Sequence, residues 1–373
     1  MLEADVEVDR RDFTVHADLQ VAAGERLALF GPSGAGKTTL LEVIAGLVRP
    51  RRARIVLGGR VLTSTSAPAR AVPPWQRRVG LLRQDPGLFP HLPVRGNLGY
   101  APAADPSGAQ LAELAGMLDI GDLLAVMPAR LSGGQAHRVA LGRLLLAQCD
   151  ALLLDEPYAG LDSSLRRALT DLVAGLVVAR GVPTVLVAHE LPDAQAFADR
   201  LAVLDRGRLL QVGAPDEVVL RPASRRVAEL VGYLGFVPVR LAGRSQAAPA
   251  PGAVPGVAPG AAPSVAPGAV PGGELPAIVA GVHPERVIAG AHPDRGVVLV
   301  GAVTGRRPAG AGWEADLRVG HEVITCRLAD RPGEDGGQLL VTAVDPPFFG
   351  PDGTALAEPP GGRGVLWPEQ VVA

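Results

Sequence analysis

The chain is poor in aromatic residues and in cysteine. Phe, Trp and Tyr together make up 3% of its 373 residues, whereas 47% of the residues are hydrophobic, so a buried core has to be built from Leu, Val, Ala and Ile. The two cysteines, Cys149 and Cys326, are too few for a disulfide framework. Both lie in apolar stretches, and we expect small buried thiols without a chemical role.

Long apolar runs are also absent. No segment has the roughly 18 uninterrupted apolar residues of a membrane-spanning helix, and the most apolar stretch, 139–154, is broken by Arg143 and Asp150. The N-terminal segment MLEADVEVDRRDF has acidic residues where a secretory signal needs a basic start. We therefore expect a cytoplasmic protein that reaches a membrane only through a partner. The formal net charge of −2 argues against broad binding to nucleic acid, and we expect no nucleic-acid partner.

Composition separates an N-terminal domain from a linker. Residues 1–240 alternate short apolar runs with helix-like segments, which predicts an α/β domain with a largely parallel sheet. Residues 241–275 are dominated by Pro, Ala and Gly, a composition that cannot bury a core. We interpret this second segment as a linker.

The remainder of the chain is typical of a small β domain. Apolar runs at Gly296–Val303, Glu322–Leu328 and Gln338–Val344 are separated by Gly, Pro and Asp. This pattern predicts a barrel or a sandwich over residues 276–356. Residues 357–373 are rich in Gly and Pro, and we expect a mobile tail.

A glycine-rich loop follows the strand predicted for Arg26–Phe30. It reads GPSGAGKTT and matches G-x-x-x-x-G-K-[ST] in full, and a helical apolar pattern then runs to Gly46. Backbone N–H groups in such a loop converge on phosphate oxygens, with Lys37 reaching the β and γ phosphates and Thr38 binding Mg²⁺. The alternative is a plain turn before an ordinary helix. The candidate ATP-binding residues are Gly31, Pro32, Ser33, Gly34, Ala35, Gly36, Lys37, Thr38 and Thr39.

A pair of acids ends the apolar run that begins at Ala151. A strand buried on both faces would present Asp155 and Glu156 at its carboxyl end, where α/β sheets bind ligands. Asp155 suits Mg²⁺ coordination, and Glu156 can polarise an attacking water. The alternative, two acids in a surface loop, loses weight beside a phosphate loop.

The order of motifs separates this chain from other phosphate-loop proteins, which include kinases, GTPases and helicases. Leu131 is followed by Ser132, Gly133, Gly134 and Gln135 at the start of a helix, and the acidic strand comes next. The sequence here resembles the ABC ATPase family closely. The resemblance implies an α/β fold of the ABC type, with a RecA-like core and a helical subdomain, and a signature turn that binds the γ-phosphate held by the opposite subunit.

The same resemblance extends to three single positions. Gln84 looks like the glutamine that contacts Mg²⁺ and the attacking water, Asp162 like part of the loop that communicates across the dimer, and His189 like the switch histidine at the γ-phosphate. It implies a homodimer that uses ATP and Mg²⁺, transmembrane permease subunits, an extracytoplasmic substrate-binding protein and a place at the cytoplasmic face of the membrane.

The chain departs from the family pattern at several positions. Where the family often has an aromatic residue to stack on adenine, this chain has Arg10 or Arg11, with Phe13 close by. Arg83 replaces a usual Phe before the glutamine. Ala136 and His137 replace the usual polar pair after the signature turn; none of these changes removes a catalytic group.

Two segments bear on the transported substrate. Residues 88–98, LFPHLPVRGNL, resemble the corresponding stretch of molybdate-importer ATPases, and Gly281–Val287, GVHPERV, resembles the start of an accessory TOBE-type β domain. We therefore predict molybdate or a related oxyanion. Sulfate, ferric iron, polyamines and sugars stay open, as does a soluble ABC ATPase that acts on DNA or ribosomes. A small-molecule kinase is disfavoured by the signature turn and by His189.

Overall fold

The structure is a computed structural model. It describes the chain except for residues 101–107, 159–160, 242–277, 290–295, 311, 320, 330–331, 333–337, 345, 357–365 and 369–373. The predicted linker, apart from Leu241, and most of the predicted tail lie outside the described residues. The chain divides into two units, Met1–Val218 and Val219–Ala373.

The first unit contains one mixed sheet and the helices that follow its strands. Its strands are β1 Leu2–Asp9, β2 Thr14–Val21, β3 Arg26–Phe30, β4 Arg52–Leu57, β5 Arg60–Ser64, β6 Arg70–Ala71, β7 Val79–Leu82, β8 Ala151–Asp155, β9 Thr184–Val187, β10 Arg200–Asp205 and β11 Arg208–Gly213. Its helices are α1 Lys37–Ala45, α2 Val94–Leu98, α3 Ala109–Met117, α4 Gly133–Leu146, α5 Ser163–Arg180 and α6 Leu191–Phe197. A further helix, α7, covers Pro215–Leu220.

The sheet has the order β6-β5-β4-β1-β2-β11-β10-β3-β9-β8-β7. Strands β10, β3, β9, β8 and β7 run parallel to one another and form the predicted parallel part of the sheet. The prediction of a largely parallel sheet is wrong for the other half, where β1 pairs antiparallel with both β2 and β4. Short hairpin connections allow antiparallel pairing, and β1 shows the alternating burial typical of it.

The core of the first unit consists of aliphatic side chains, as the composition predicts. Every residue of β8 is buried, and so is every residue of β9, because parallel strands are covered on both faces. Helix α1 packs its apolar face, including Leu40, Leu41 and Ile44, into this core. Buried aliphatic contacts on both faces of the sheet therefore anchor the strand end that leads into the glycine-rich loop.

A buried arginine closes the C-terminal end of α1. The helix ends at Gly46, whose φ of 85° is left-handed and suits glycine. The Arg77 guanidinium lies against Gly46 and donates to the carbonyl oxygens of Ile44 at 2.8 Å and Val72 at 2.8 Å, and to Thr63 Oγ1 at 2.9 Å. Arg77 thus satisfies acceptors that the helix itself leaves without partners.

The second unit contains helix α8, Arg225–Leu230, and two antiparallel sheets of five strands each. Its strands are β12 Gly235–Leu241, β13 Ile278–Val282, β14 Val287–Ala289, β15 Gly296–Ala309, β16 Gly312–Val319, β17 Glu322–Leu328, β18 Gln338–Val344, β19 Phe348–Phe349, β20 Ala355–Leu356 and β21 Leu366–Pro368. The sheets are β20-β19-β13-β12-β21 and β14-β18-β15-β16-β17. They share one core with Val237, Val282, Leu317 and Cys326, so the described strands form two packed sheets and not one closed barrel.

The unit boundary differs from the expected domain boundary at residue 240. Strand β12 pairs with β13, which lies downstream of the predicted linker, and residues 219–241 therefore group with the β unit. Strand β21, within the segment predicted as a tail, pairs with β12. The limits of the functional domains stay a prediction.

Two smaller expectations concern thiols and membrane spans. Cys326 is fully buried, as expected, whereas Cys149 is half-buried, and both are free thiols. Within the described part of the chain, no helix combines the length and the hydropathy needed to cross a membrane.

We expect Arg77→Met to destabilise the first unit by about 2–4 kcal/mol, because several buried acceptors lose their donor while the apolar volume is kept. Differential scanning calorimetry should show a lower transition temperature. The control is Arg52→Met, which removes a half-exposed pair with Asp5 and should cost less than about 1 kcal/mol. Equal melting of the two variants would contradict this role for Arg77.

Candidate functional site

The carboxyl ends of four neighbouring parallel strands meet at one edge of the first sheet. Strands β3, β9, β8 and β7 are adjacent in that order. They lead respectively into the glycine-rich loop, His189, Glu156 and Gln84. Parallel pairing therefore brings together residues that are far apart in sequence, at the edge where α/β sheets bind ligands.

The glycine-rich loop has a conformation that requires glycine at its first position. Gly31 has a φ of 150°, and a Cβ there would overlap the carbonyl oxygen of Leu204 on β10. Gly36, with a φ of 106°, precedes α1 and accepts the backbone N–H of Leu40 at 3.0 Å. The loop thus delivers the N-terminus of α1 to the sheet edge, which favours an anion there.

Lys37 is the only lysine in the chain and it points back into this loop. Its Nζ donates to the carbonyl oxygens of Gly31 at 2.7 Å and Pro32 at 2.9 Å. Burial lowers the pKa of Lys37, and the negative charges of Glu156 and Asp155 oppose that shift. A cation held in a curved loop beside a helix N-terminus is suited to bind phosphate.

Asp155 ends β8 and is almost fully buried, with 1% of its surface exposed. Burial raises the pKa of this carboxyl group, a hydrogen bond from Thr38 lowers it, and the neighbouring Glu156 raises it further. Among the described residues, Asp155 Oδ1 has no hydrogen-bond partner. Such an orphaned buried oxygen beside a threonine hydroxyl fits a divalent cation as the missing partner.

Glu156 is held by side chains from the two flanking strands. Its Oε1 accepts a hydrogen bond from Gln84 Nε2 at 2.8 Å and lies 2.9 Å from His189 Nε2. The backbone of Glu156 has a left-handed φ of 53°, and its N–H donates to Val187 O at 3.3 Å. A non-glycine residue keeps such a strained backbone only where the neighbouring structure holds it, and residues of this kind cluster at functional sites.

These residues line a single cleft of about 760 Å³. The glycine-rich loop from Ser33 to Thr39, Gln84, Glu156 and His189 form one part of its wall. The turn between β1 and β2, residues 9–13, forms another part, so Arg10, Arg11 and Phe13 are close to the candidate phosphate site as expected. Sequence reasoning did not single out Asp9 and Asp12, which line the same turn.

The predicted signature turn lies at the N-terminus of α4, outside this cleft. Ser132 caps the helix: its Oγ accepts from Gln135 N at 3.2 Å, and its own N–H donates to Gln135 Oε1 at 2.9 Å. Ser132 and Gly133 are exposed, and Gly134 and Gln135 are half-buried. The structure thus presents the turn to solvent and does not bring it to the glycine-rich loop of the same chain.

Asp162 caps helix α5. Its Oδ1 accepts the backbone N–H groups of Ser164 and Leu165, each at 3.0 Å, and the hydrogen bond from the Ser164 hydroxyl lowers the pKa of Asp162. It does not line the cleft. Ala159 and Gly160, which precede it in the predicted communication loop, lie outside the described residues.

Two residues that sequence reasoning missed hold the segment after Gln84. Asn97 is fully buried, accepts from Phe89 N at 2.8 Å and donates to Leu92 O at 2.9 Å. Arg143 of α4 donates to Gly87 O at 3.0 Å and lies over the Phe89 ring. The only signal in the sequence was Arg143 interrupting an apolar run. The segment after Gln84 is therefore tied to the helix that begins at the signature turn.

The first unit is similar in sequence to known proteins. Residues 15–159 match a family model described as ABC transporter. The Fe(3+) ions import ATP-binding protein FbpC of Mesorhizobium japonicum is 42% identical over 229 residues, which are 61% of this chain and 63% of that protein. The molybdenum import ATP-binding protein ModC of Mycobacterium tuberculosis is 41% identical over 236 residues, which are 61% of this chain and 63% of that protein.

A solved structure of the ATP-binding subunit of an ABC transporter has the same fold. It superposes with a TM-score of 0.52 at 27% identity and covers 62% of this chain and 95% of its own. The chain spans 63% of the length of the two curated relatives described above. The matched residues include the glycine-rich loop, the signature turn and the acidic strand. The first unit therefore has the fold of the ATP-binding subunits of ABC transporters.

Proposed function

We propose that the chain is the ATP-hydrolysing subunit of an ABC importer, which works as a homodimer and drives separate permease subunits. The observation that carries the proposal is the joint position of Lys37, Glu156, Gln84 and His189 at one sheet edge. A phosphate-binding cation and a carboxylate held for water activation are the two parts that phosphoryl transfer to water requires.

ATP binding uses the glycine-rich loop and the start of α1. Backbone N–H groups between Gly31 and Thr39 face the phosphates, except at Pro32, which has none, and at Ala35, whose N–H donates to Pro32 O. Lys37 Nζ exchanges its two carbonyl acceptors for phosphate oxygens. The exchange favours the nucleotide because hydrogen bonds to a charged acceptor are stronger than hydrogen bonds to carbonyls. The base lies toward the turn that contains Arg10, Arg11 and Phe13, where a guanidinium plane can stack on it.

Mg²⁺ fits the donor set beside the loop. The Thr38 hydroxyl, the unpartnered Asp155 Oδ1 and the Gln84 side chain are hard oxygen ligands of the kind that Mg²⁺ prefers. When bound, the cation would neutralise charge on the β and γ phosphates.

Hydrolysis needs a water placed for attack on the γ-phosphate. Glu156 polarises this water, while Gln84 and His189 hold the carboxylate in place from either side. His189 lines the same cleft as Lys37 and can therefore also contact the γ-phosphate.

The homodimer follows from the exposed signature turn. Two copies related by a two-fold axis place Ser132–Gln135 of each over the loop of the other, with Asp162 near the shared boundary. The turn offers backbone N–H groups at the N-terminus of a 14-residue helix, which favours an anion. ATP stabilises the closed dimer because only closure brings two phosphate-binding turns onto one nucleotide.

The relatives support an importer and leave its substrate open among three ions. Proteins named for Fe(3+), sulfate/thiosulfate and molybdenum import are all 40–44% identical to this chain. We propose molybdate or a related oxyanion, because residues 88–98 resemble the corresponding stretch of molybdate-importer ATPases and residues 281–287 resemble the start of a TOBE-type β domain. Ferric iron is the second candidate, since relatives with that name are 42–44% identical to this chain. The permease, an extracytoplasmic substrate-binding protein and attachment to the cytoplasmic membrane face belong to the same proposal.

The single lysine gives a direct test of ATP binding. An amine-reactive reagent such as trinitrobenzenesulfonate has two targets in the chain, Lys37 and the α-amino group, and the lowered pKa of Lys37 favours its reactive neutral form. We expect saturating Mg-ATP to slow Lys37 labelling at least about tenfold, as read by peptide mass spectrometry. The α-amino group is the internal control. Unchanged labelling of Lys37 with saturating Mg-ATP would exclude this loop as the site.

We expect Glu156→Gln to lose at least about 10²-fold in ATP turnover while it still binds ATP, because the variant keeps the side-chain shape but removes the charge that polarises water. The trapped protein should run as a dimer in size-exclusion chromatography with light scattering. Glu113→Gln on the exposed face of α3 is the matched control and should behave like the unmodified chain. A Glu156→Gln protein that stays monomeric in saturating ATP would contradict the shared site.

Uptake by cells identifies the substrate. Deletion of the gene should lower accumulation of labelled molybdate, with labelled sulfate and ferric iron taken up at unchanged rates, and Glu156→Gln should fail to restore it. A selective loss of iron uptake would assign the second candidate instead. Unchanged uptake of all three ions would contradict both the molybdate proposal and the ferric-iron alternative.

A further inference from the structure

Arg83, which stands directly before Gln84, is tied to the helix after the phosphate loop. Its Nη2 donates to Glu42 Oε1 of α1 at 3.0 Å. The Glu42 side chain is 17% exposed and the Arg83 side chain 56% exposed. The family resemblance expects an aromatic residue at position 83, so this ion pair is a feature of this chain.

Glu42 lies on the face of α1 that looks toward the catalytic edge. Thr38 and Glu42 are four residues apart, which places them on one helix face. Thr38 hydrogen-bonds Asp155, and the charge of Glu42 reaches the same carboxyl group. Arg83 therefore connects the segment of Gln84 to the helix face that carries a candidate Mg²⁺ ligand.

The next residue, Gln84, contacts the candidate catalytic carboxylate of Glu156. Gln84 Nε2 donates to Glu156 Oε1 at 2.8 Å, while Arg83 binds Glu42. Neighbouring residues of one short segment thus reach two different elements, α1 and the end of β8. The position of Gln84 between them depends on both contacts.

We propose that Arg83 is a positioning residue, whose ion pair with Glu42 holds Gln84 against Glu156 and makes the Gln84 segment follow movements of the phosphate-loop helix. The inference rests on the proposed function, since it concerns the placement of Gln84 during hydrolysis. An exposed pair contributes little to stability. Its effect lies in geometry, because small displacements of a catalytic group lower the rate strongly.

The test is steady-state ATP hydrolysis by the full-length chain. We expect Arg83→Met and Glu42→Gln each to lower kcat by about three- to tenfold with KM for ATP changed less than about twofold, because the pair orients and does not touch ATP. Arg83→Lys should keep more than about half of the activity, since an ammonium can still pair with Glu42. Arg52→Met, which breaks the Arg52–Asp5 pair of 3.1 Å between residues that do not line the cleft, is the matched control and should leave kcat unchanged.

A double-mutant cycle shows whether Arg83 acts through Gln84. If it does, Arg83→Met added to Gln84→Ala lowers kcat by less than about 1.5-fold beyond Gln84→Ala alone. Multiplied effects, or an Arg83→Met protein with normal kcat, would overturn the positioning role. A rise in KM with unchanged kcat would also overturn it, since it would mean that Arg83 serves binding.

The same assay separates this inference from the proposed function. If the unmodified chain hydrolyses ATP and the Arg83→Met and Glu42→Gln variants do so at the same rate, only the inference about Arg83 is contradicted. Unmodified chain that binds no ATP and hydrolyses none removes the proposed function and the inference with it. Thermal melts of all variants, matched to the unmodified chain within about 2 °C, exclude a general loss of folding as the cause of a lower kcat.

Discussion

The parallel pairing of β3, β9, β8 and β7 is the constraint on which the site depends. Each strand is short and mostly buried, and each places the next residue or loop at the same edge. The glycine-rich loop, His189, Glu156 and Gln84 are separated by up to 158 residues in sequence, the interval from Gly31 to His189. Register between the aliphatic strands brings these segments to one edge, and the contacts of Glu156 with Gln84 and His189 then hold the side chains together.

The local parts of this arrangement were predictable because their signals are local. Each signal fixes the backbone of only a few residues. The signals are a glycine with a φ that other residues rarely adopt, a serine that caps a helix, and an apolar run that ends in two acids. Strand β3 has its predicted limits, and helix α1 ends within one residue of its predicted end. The order of these parts along the chain supplied the resemblance, and the resemblance supplied Gln84 and His189.

The rest depends on contacts between distant residues and left no pattern to read. The antiparallel half of the first sheet is one case, because β1 pairs on one side with β4, which lies more than 40 residues further along the chain. Arg77 is another, because a buried arginine that serves a helix end resembles any surface arginine in sequence. The boundary at Val218 is a third case. Strand β12 pairs with β13, which lies beyond the Pro/Ala/Gly segment, whereas the amino-acid composition changes at that segment and not at Val218.

Polar groups of the candidate site satisfy one another within the chain. Lys37 donates to two loop carbonyls, and Glu156 is held by Gln84 and His189, while only Asp155 Oδ1 among these described groups lacks a partner. A triphosphate therefore has to replace existing hydrogen bonds, and the net gain is the difference between the new and the old contacts. Such a site is stable without strain at Lys37 and responds mainly to ligands that offer charged oxygens. This exchange gives a physical reason for a requirement for phosphate oxygens: their charge can draw Lys37 away from its two carbonyl acceptors, while Gln84 and His189 keep Glu156 in place.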